Sequence, residues 1–279
     1  MADTADSPEI YTPAYYNRIA ELEGRHWWHL GMQDIALALL ATEERRVYPR
    51  VLDAGCGPGG MMRWAETALG ANEIHGVDVA PEALTYCKAR NKNWQVREAS
   101  VLNLPYPDDA FDLVISNDVV QHLPTDGGDA RGINEMARVL APRGALLLRT
   151  NSRLGMWQKS DAKDVDYQRY LRTEIVQKLE AAGLTVTRAT YANFLGSLQE
   201  SAGRLFRKPA HGRHHHHGAE GATPRSVYEG LQLRDTAKRH PVANRILLGL
   251  LQGEAKYLDR PGRSLPFGHT ILAVAHKRG

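Results

Sequence analysis

This 279-residue sequence is notable first for what it has little of. Cysteine occurs twice, at Cys56 and Cys87, which gives no disulfide framework and fits a reducing compartment. The opening residues, Met1 to Pro8, are polar and acidic and lack the apolar core of a signal peptide. No uninterrupted apolar run approaches the ~20 residues that a membrane-spanning helix needs. The expectation from these absences is a cytoplasmic protein without a membrane span. An excess of charge is missing too: 35 basic residues face 32 acidic ones, a net charge of +3. That balance gives no reason to expect nucleic acid as a partner without a local basic patch. No internal repeat is apparent. With 43% apolar and 24% charged residues, the composition is that of a globular protein able to bury a sizeable core.

The chain is organised around Val51-Leu52-Asp53-Ala54-Gly55-Cys56-Gly57-Pro58-Gly59-Gly60. It reads as a buried strand that ends in a glycine-rich turn and opens a helix at Met61. Glycine suits a turn of unusual torsions where a ligand must approach the backbone. N–H groups at the start of the following helix favour an anionic or oxygen-rich group. By spacing alone, Gly55-x-Gly57-x-x-Gly60 also fits a dinucleotide fingerprint. About twenty residues on, Glu73-Ile74-His75-Gly76-Val77-Asp78 is a short strand ending in an acid, the place for a carboxylate that binds ribose hydroxyls. A third run follows from Leu104 through Pro105, Pro107, Asp108, Phe111 and Asp112 to Ser116-Asn117-Asp118.

Together these three stretches resemble the class I S-adenosylmethionine-dependent methyltransferases. A nicotinamide enzyme would account for the glycines but not for the Leu-Pro-x-Pro-Asp-x-x-Phe-Asp run. The resemblance implies an α/β fold: a doubly wound, mostly parallel seven-stranded Rossmann-like sheet with an N-terminal helical arm and a helical cap before the last strand. Strands are expected at 49–54, 73–78, 94–99, 111–116, 144–150, 184–191 and 269–275. Helices are expected at 60–69, 81–91, 130–140 and about 174–182. A single domain is expected, with residues 1–10 disordered, 11–46 an arm or lid, and 47–191 the core. Residues 192–266 would form the cap, with a mobile loop at 207–224, and 267–279 the final strand.

The resemblance also assigns candidate sites. Gly55 and Gly57 would let the backbone approach the donor's amino-acid end, and Asp78 would accept hydrogen bonds from the ribose diol. The plain alternative for Asp78 is an acid capping the next helix. Asp53 would brace the loop or bind the donor's amino group. Val79 would offer apolar contact to the adenine. Ser100 stands where the family often carries an acid for the adenine amino group, so the backbone of Val101 is expected to matter more. Asn117 and Asp118 follow the fourth strand, nearest the methyl group. His122 is a candidate general base or simply a pocket residue.

Before the core, Tyr15 and the run His26-Trp27-Trp28 recur at the front of one bacterial branch of these enzymes. They are candidates for a lid, against the plain reading that a tryptophan packs the arm onto the core. His214-His215-His216-His217 sits among glycines in a polar stretch and lacks the fixed geometry of a metal site, so no metal is expected. The implied cofactor is S-adenosyl-L-methionine, with S-adenosyl-L-homocysteine as product, and the implied partner is a small-molecule acceptor. An Asn-Pro-Pro-Tyr-like run is absent after the fourth strand, so a secondary-metabolite or sugar-like acceptor fits best. An RNA-modifying enzyme and a non-catalytic donor-binding subunit are the alternatives. The oligomeric state is left open, a homodimer included.

Overall fold

The apolar runs separated by amphipathic ones form one sheet covered on both faces. The computed structural model describes residues 12–43, 47–153, 168–194, 197 and 236–279. Its strands are β1 (Arg50–Ala54), β2 (Glu73–Asp78), β3 (Gln95–Glu98), β4 (Phe111–Asn117), β5 (Leu140–Asn151), β6 (Leu184–Ala192) and β7 (Thr270–Lys277). Their spatial order is β3-β2-β1-β4-β5-β7-β6. Strands β1 to β5 run parallel, and β7 lies antiparallel between β5 and β6. Burial follows position. Val51–Ala54 and Phe111–Ser116, in the middle, are wholly buried, whereas the edge strand β3 is polar and largely exposed.

The strand order reverses between β1 and β4, which leaves a crevice beyond their carboxyl ends. Helix α3 (Gly60–Ala68) leaves the β1 turn, α4 (Pro81–Arg90) leaves β2 with proline in its first turn, and α5 (Gly128–Val139) precedes β5. Helix α6 (Arg172–Ala181) precedes β6, and its Glu174 accepts the Leu171 N–H at 2.7 Å.

The arm is two helices, α1 (Pro13–Leu22) and α2 (Trp27–Ala41). The second of these begins at Trp27 because His26 caps it. The His26 Nδ1 accepts the Trp28 N–H at 3.3 Å. The expected break between 140 and 144 is absent. Leu140 pairs with Phe111, and a bulge absorbs the turn-like residues before Ala145 pairs with Leu113.

Of the region read as a cap, a short helical turn (Thr236–Arg239) and α7 (Pro241–Leu258) are described. The stretches read as disordered (1–10) and as a mobile loop (207–224) lie outside the described residues, as does the 214–217 histidine tract. Helix α7 packs on α2 at Gly31, where a Cβ would come within 2.4 Å of Leu251. The Asn244 side chain accepts the Trp27 N–H at 3.0 Å and donates to the Arg25 carbonyl at 3.1 Å. No helix among the described residues is long and apolar enough to cross a membrane.

This contact predicts that Gly31→Val costs about 1–3 kcal/mol by overpacking. A thermal melt should show Tm lowered by about 2–10 °C, and an unchanged Tm would show that α7 does not rest on α2 there.

Candidate functional site

Beyond the carboxyl ends of β1, β2 and β4 lies a cavity of about 400 Å³. Its floor is the glycine turn. Gly55, at φ +89°, has a torsion that side-chain-bearing residues rarely adopt, and a Cβ on it would fall 2.2 Å from the Val119 side chain. The N–H groups of Gly55 and Cys56 both donate to the Val77 carbonyl at 2.8 Å. The next N–H, of Gly57, donates to Asp78 Oδ2 at 2.8 Å, and the Ala80 N–H donates to Oδ1 at 3.0 Å. The ends of the first two strands are therefore joined through one carboxylate. No atom lies within 4 Å of where a Gly57 Cβ would sit, so the turn leaves open space on its cavity side. The Cys87 thiol supports the turn from below, donating to the Gly57 carbonyl at 3.3 Å.

The residues singled out in the sequence divide clearly. Asp53, Gly55, Gly57, Asp78, Val79, Ser100, Val101, Asn117 and His122 all line the cavity, as do Tyr15 and Trp28 from the arm. His26 and Trp27 do not: His26 is wholly buried as the cap of α2, and Trp27 packs into the core. Val79 is a large apolar side chain left 58% exposed at the cavity edge. The Ser100 hydroxyl accepts the Leu102 N–H at 3.2 Å, which turns it toward its own loop.

The structure adds residues that the sequence gave no signal for. Glu23, at the end of the arm, reaches into the wall. It accepts Arg90 Nη1 at 2.6 Å and is hydrogen-bonded to the N–H of Gly60 at the start of α3. Burial raises its carboxyl above the usual range, although Arg90 and Arg63 oppose the shift. Asp53 beside it is pushed up to about 8, first by burial, then by the charges of Glu23 and Asp78. Asp78 is raised by burial against the pull of its backbone donors. Three carboxyl groups thus converge on one end of the cavity, which favours a ligand bearing positive charge there.

The opposite wall is built on Arg149 at the end of β5. Its Nη2 and Nε meet Asp118 Oδ2 at 2.6 and 3.1 Å, and its guanidinium lies 4.5 Å over the Trp28 ring. Asp118 adopts φ +60°, and its Oδ1 is buried without a partner among the described residues. His29, on the same wall, is held down to about 3 by burial and by the nearby His26 and Arg149, so its ring is neutral near pH 7.

Residues 52–148 match the methyltransferase-domain family profile. A malonyl-[acyl-carrier protein] O-methyltransferase of Halorhodospira halophila is 40% identical over 116 residues, 39% of this chain and 37% of that protein. A protein of Mycobacterium tuberculosis named as a probable S-adenosylmethionine-dependent methyltransferase is 31% identical over 159 residues, 55% of this chain and 53% of that one.

Residues 52–148 carry a methyltransferase domain. The fold is similar to that of a chain in a solved complex between the Haloferax volcanii Trm112 methyltransferase activator and a methyltransferase. There the TM-score is 0.61 at 17% identity, over 98% of this chain and 100% of that one. The chain spans about half or less of the length of the first two relatives. S-adenosylmethionine is the cofactor of such domains, and the cavity suits it. Open space beside Gly57, the carboxylate of Asp78, the exposed Val79 and the carboxyl-rich end all border this cavity.

The raised carboxyl of Asp53 has a consequence for stability. The native state holds its proton up to about pH 8, whereas the unfolded chain releases it near the usual carboxylate value, about 4. Its contribution is therefore present at low pH and is lost as pH rises through that window. Asp53→Asn should flatten the decline in Tm between about pH 5 and 8, while weakening S-adenosylmethionine at least about tenfold by calorimetry. Identical Tm–pH curves for the two proteins would show that Asp53 is ionised throughout.

Proposed function

We propose that this protein transfers the methyl group of S-adenosylmethionine to the oxygen, nitrogen or carbon nucleophile of a small molecule, of secondary-metabolite or sugar-like type. In such a displacement the cofactor supplies the reactive methyl, and the chain holds donor and nucleophile in line. Gly55 and Gly57 would receive the donor's amino-acid end, Asp53 and Glu23 its positive charge, Asp78 the ribose hydroxyls, and Val79 and Val101 the adenine. Asn117 lies at the end of β4, where the methyl is directed.

The observation that carries the choice of a small acceptor is the cavity itself. At about 400 Å³ it is bounded by the arm residues Tyr15 and Trp28 as well as by the strand ends, a concave site of the size small ligands take. The two free thiols, Cys56 and Cys87, suit a cytoplasmic setting.

The deciding experiment supplies methyl-labelled S-adenosylmethionine together with either a small-molecule cell extract or total RNA. Label should move into the small-molecule fraction. Label in RNA would overturn the acceptor class, and binding of the donor without transfer to either fraction would point to a donor-binding subunit.

The two tryptophans separate in the same assay. Trp28→Ala removes the surface under Arg149 and should cut transfer at least about tenfold. Trp27→Ala should instead lower stability by about 3–5 kcal/mol, seen in a denaturant melt. Equal loss of transfer at matched folded fraction would contradict this division.

A further inference from the structure

His122 is the residue on the acceptor wall that sequence reasoning nominates as a general base, and its neighbour decides what it can do. Gln121 is 2% exposed, and its side-chain oxygen accepts the Asn151 N–H and the Thr150 hydroxyl, both at 3.0 Å. A backbone N–H can only donate, so the atom facing Asn151 is the amide oxygen. The other end of the amide is then its NH2 group, and it lies 3.4 Å from His122 Nε2. An NH2 group can only donate, so Nε2 meets it with its lone pair and the hydrogen of the neutral ring sits on Nδ1. Protonating Nε2 would set N–H against N–H, and turning the amide over would break both bonds to β5.

The turn that carries the pair is held on several sides. The Tyr170 hydroxyl lies 3.3 Å from the Val120 carbonyl while donating to Asp129 Oδ2 at 3.0 Å, and Gln168 donates to the Gln121 and Leu123 carbonyls, each at 2.8 Å. Charged or titratable groups on the same wall are Asp118 from β4, Arg149 from β5 and His29 from α2. Of these, Asp118 favours a proton on His122, and burial outweighs it.

We propose that Gln121 is a positioning residue that holds His122 as a neutral Nδ1–H imidazole, so that His122 takes no proton from the methyl acceptor. The inference rests on the methyl-transfer reading above and narrows its substrate class. The acceptor brings a nucleophile already able to attack: a carboxylate, a phenolate or a neutral amine. The new bond forms from its lone pair to the methyl carbon, the carbon–sulfur bond breaks with its electrons going to sulfur, and an amine then sheds its proton to solvent.

Long-range nitrogen–proton spectra of the full chain labelled at histidine test the tautomer without an acceptor. Wild type should show Nδ1 protonated and Nε2 bare, with the ring titrating below the ordinary histidine range because it is buried. Gln121→Glu puts a carboxylate opposite Nε2, and His122 should then titrate at least about one pH unit higher. A proton on Nε2 in wild type, or the absence of an upward shift in Gln121→Glu, would overturn the proposal. Calorimetry with S-adenosylmethionine on the same proteins separates outcomes. Failure of wild type to bind the donor would defeat the methyltransferase reading, while the tautomer result would stand or fall by itself.

Discussion

The bond from the Gly57 N–H to Asp78 Oδ2 is the contact on which the site depends. It ties the turn after β1 to the end of β2, two points that lie 21 residues apart in the chain and side by side in the sheet. With the Ala80 N–H on its other oxygen, Asp78 can move little. Its remaining lone pairs therefore face the cavity in fixed directions, as a preorganised binding group requires. The same bond shapes the glycine turn, so one carboxylate both braces the loop and lines the cavity.

Electrostatics around that contact are arranged for a cation. Asp53, Asp78 and Glu23 are each raised by burial, so three carboxyl groups meet at one end of the cavity. Across the cavity Arg149 is paired to Asp118 and stacked on Trp28. One end gathers carboxyl groups, and the other is held by contacts of its own.

The arm joins the two ends. Glu23 touches the turn at Gly60, and Trp28 underlies Arg149. The arm is fastened to the core by a network that includes Arg90, Asn244 and the packing of Gly31 on Leu251. Access to the cavity is thus coupled to helices that precede the sheet in the chain and to one that comes before its last strand.

Much of this was legible in the chain. Glycines at 55 and 57, an acid at 78 and the run into Asn117 marked the strand ends, because turn torsions and strand periodicity are local properties. The sequence by itself therefore determined the alternation of strands and helices, and the side of the sheet on which the site would form. It could not show that His26 caps a helix while Trp28 lines the cavity, since neighbours on a helix point about 100° apart and only packing selects the inward face. Nor could it pair Glu23 with Gly60, Arg149 with Asp118, or Gln121 with Asn151. Those contacts join distant residues, and their geometry exists only once the sheet has set its strands in order. The tertiary structure alone decided which carboxyls are buried together and which end of the Gln121 amide meets His122.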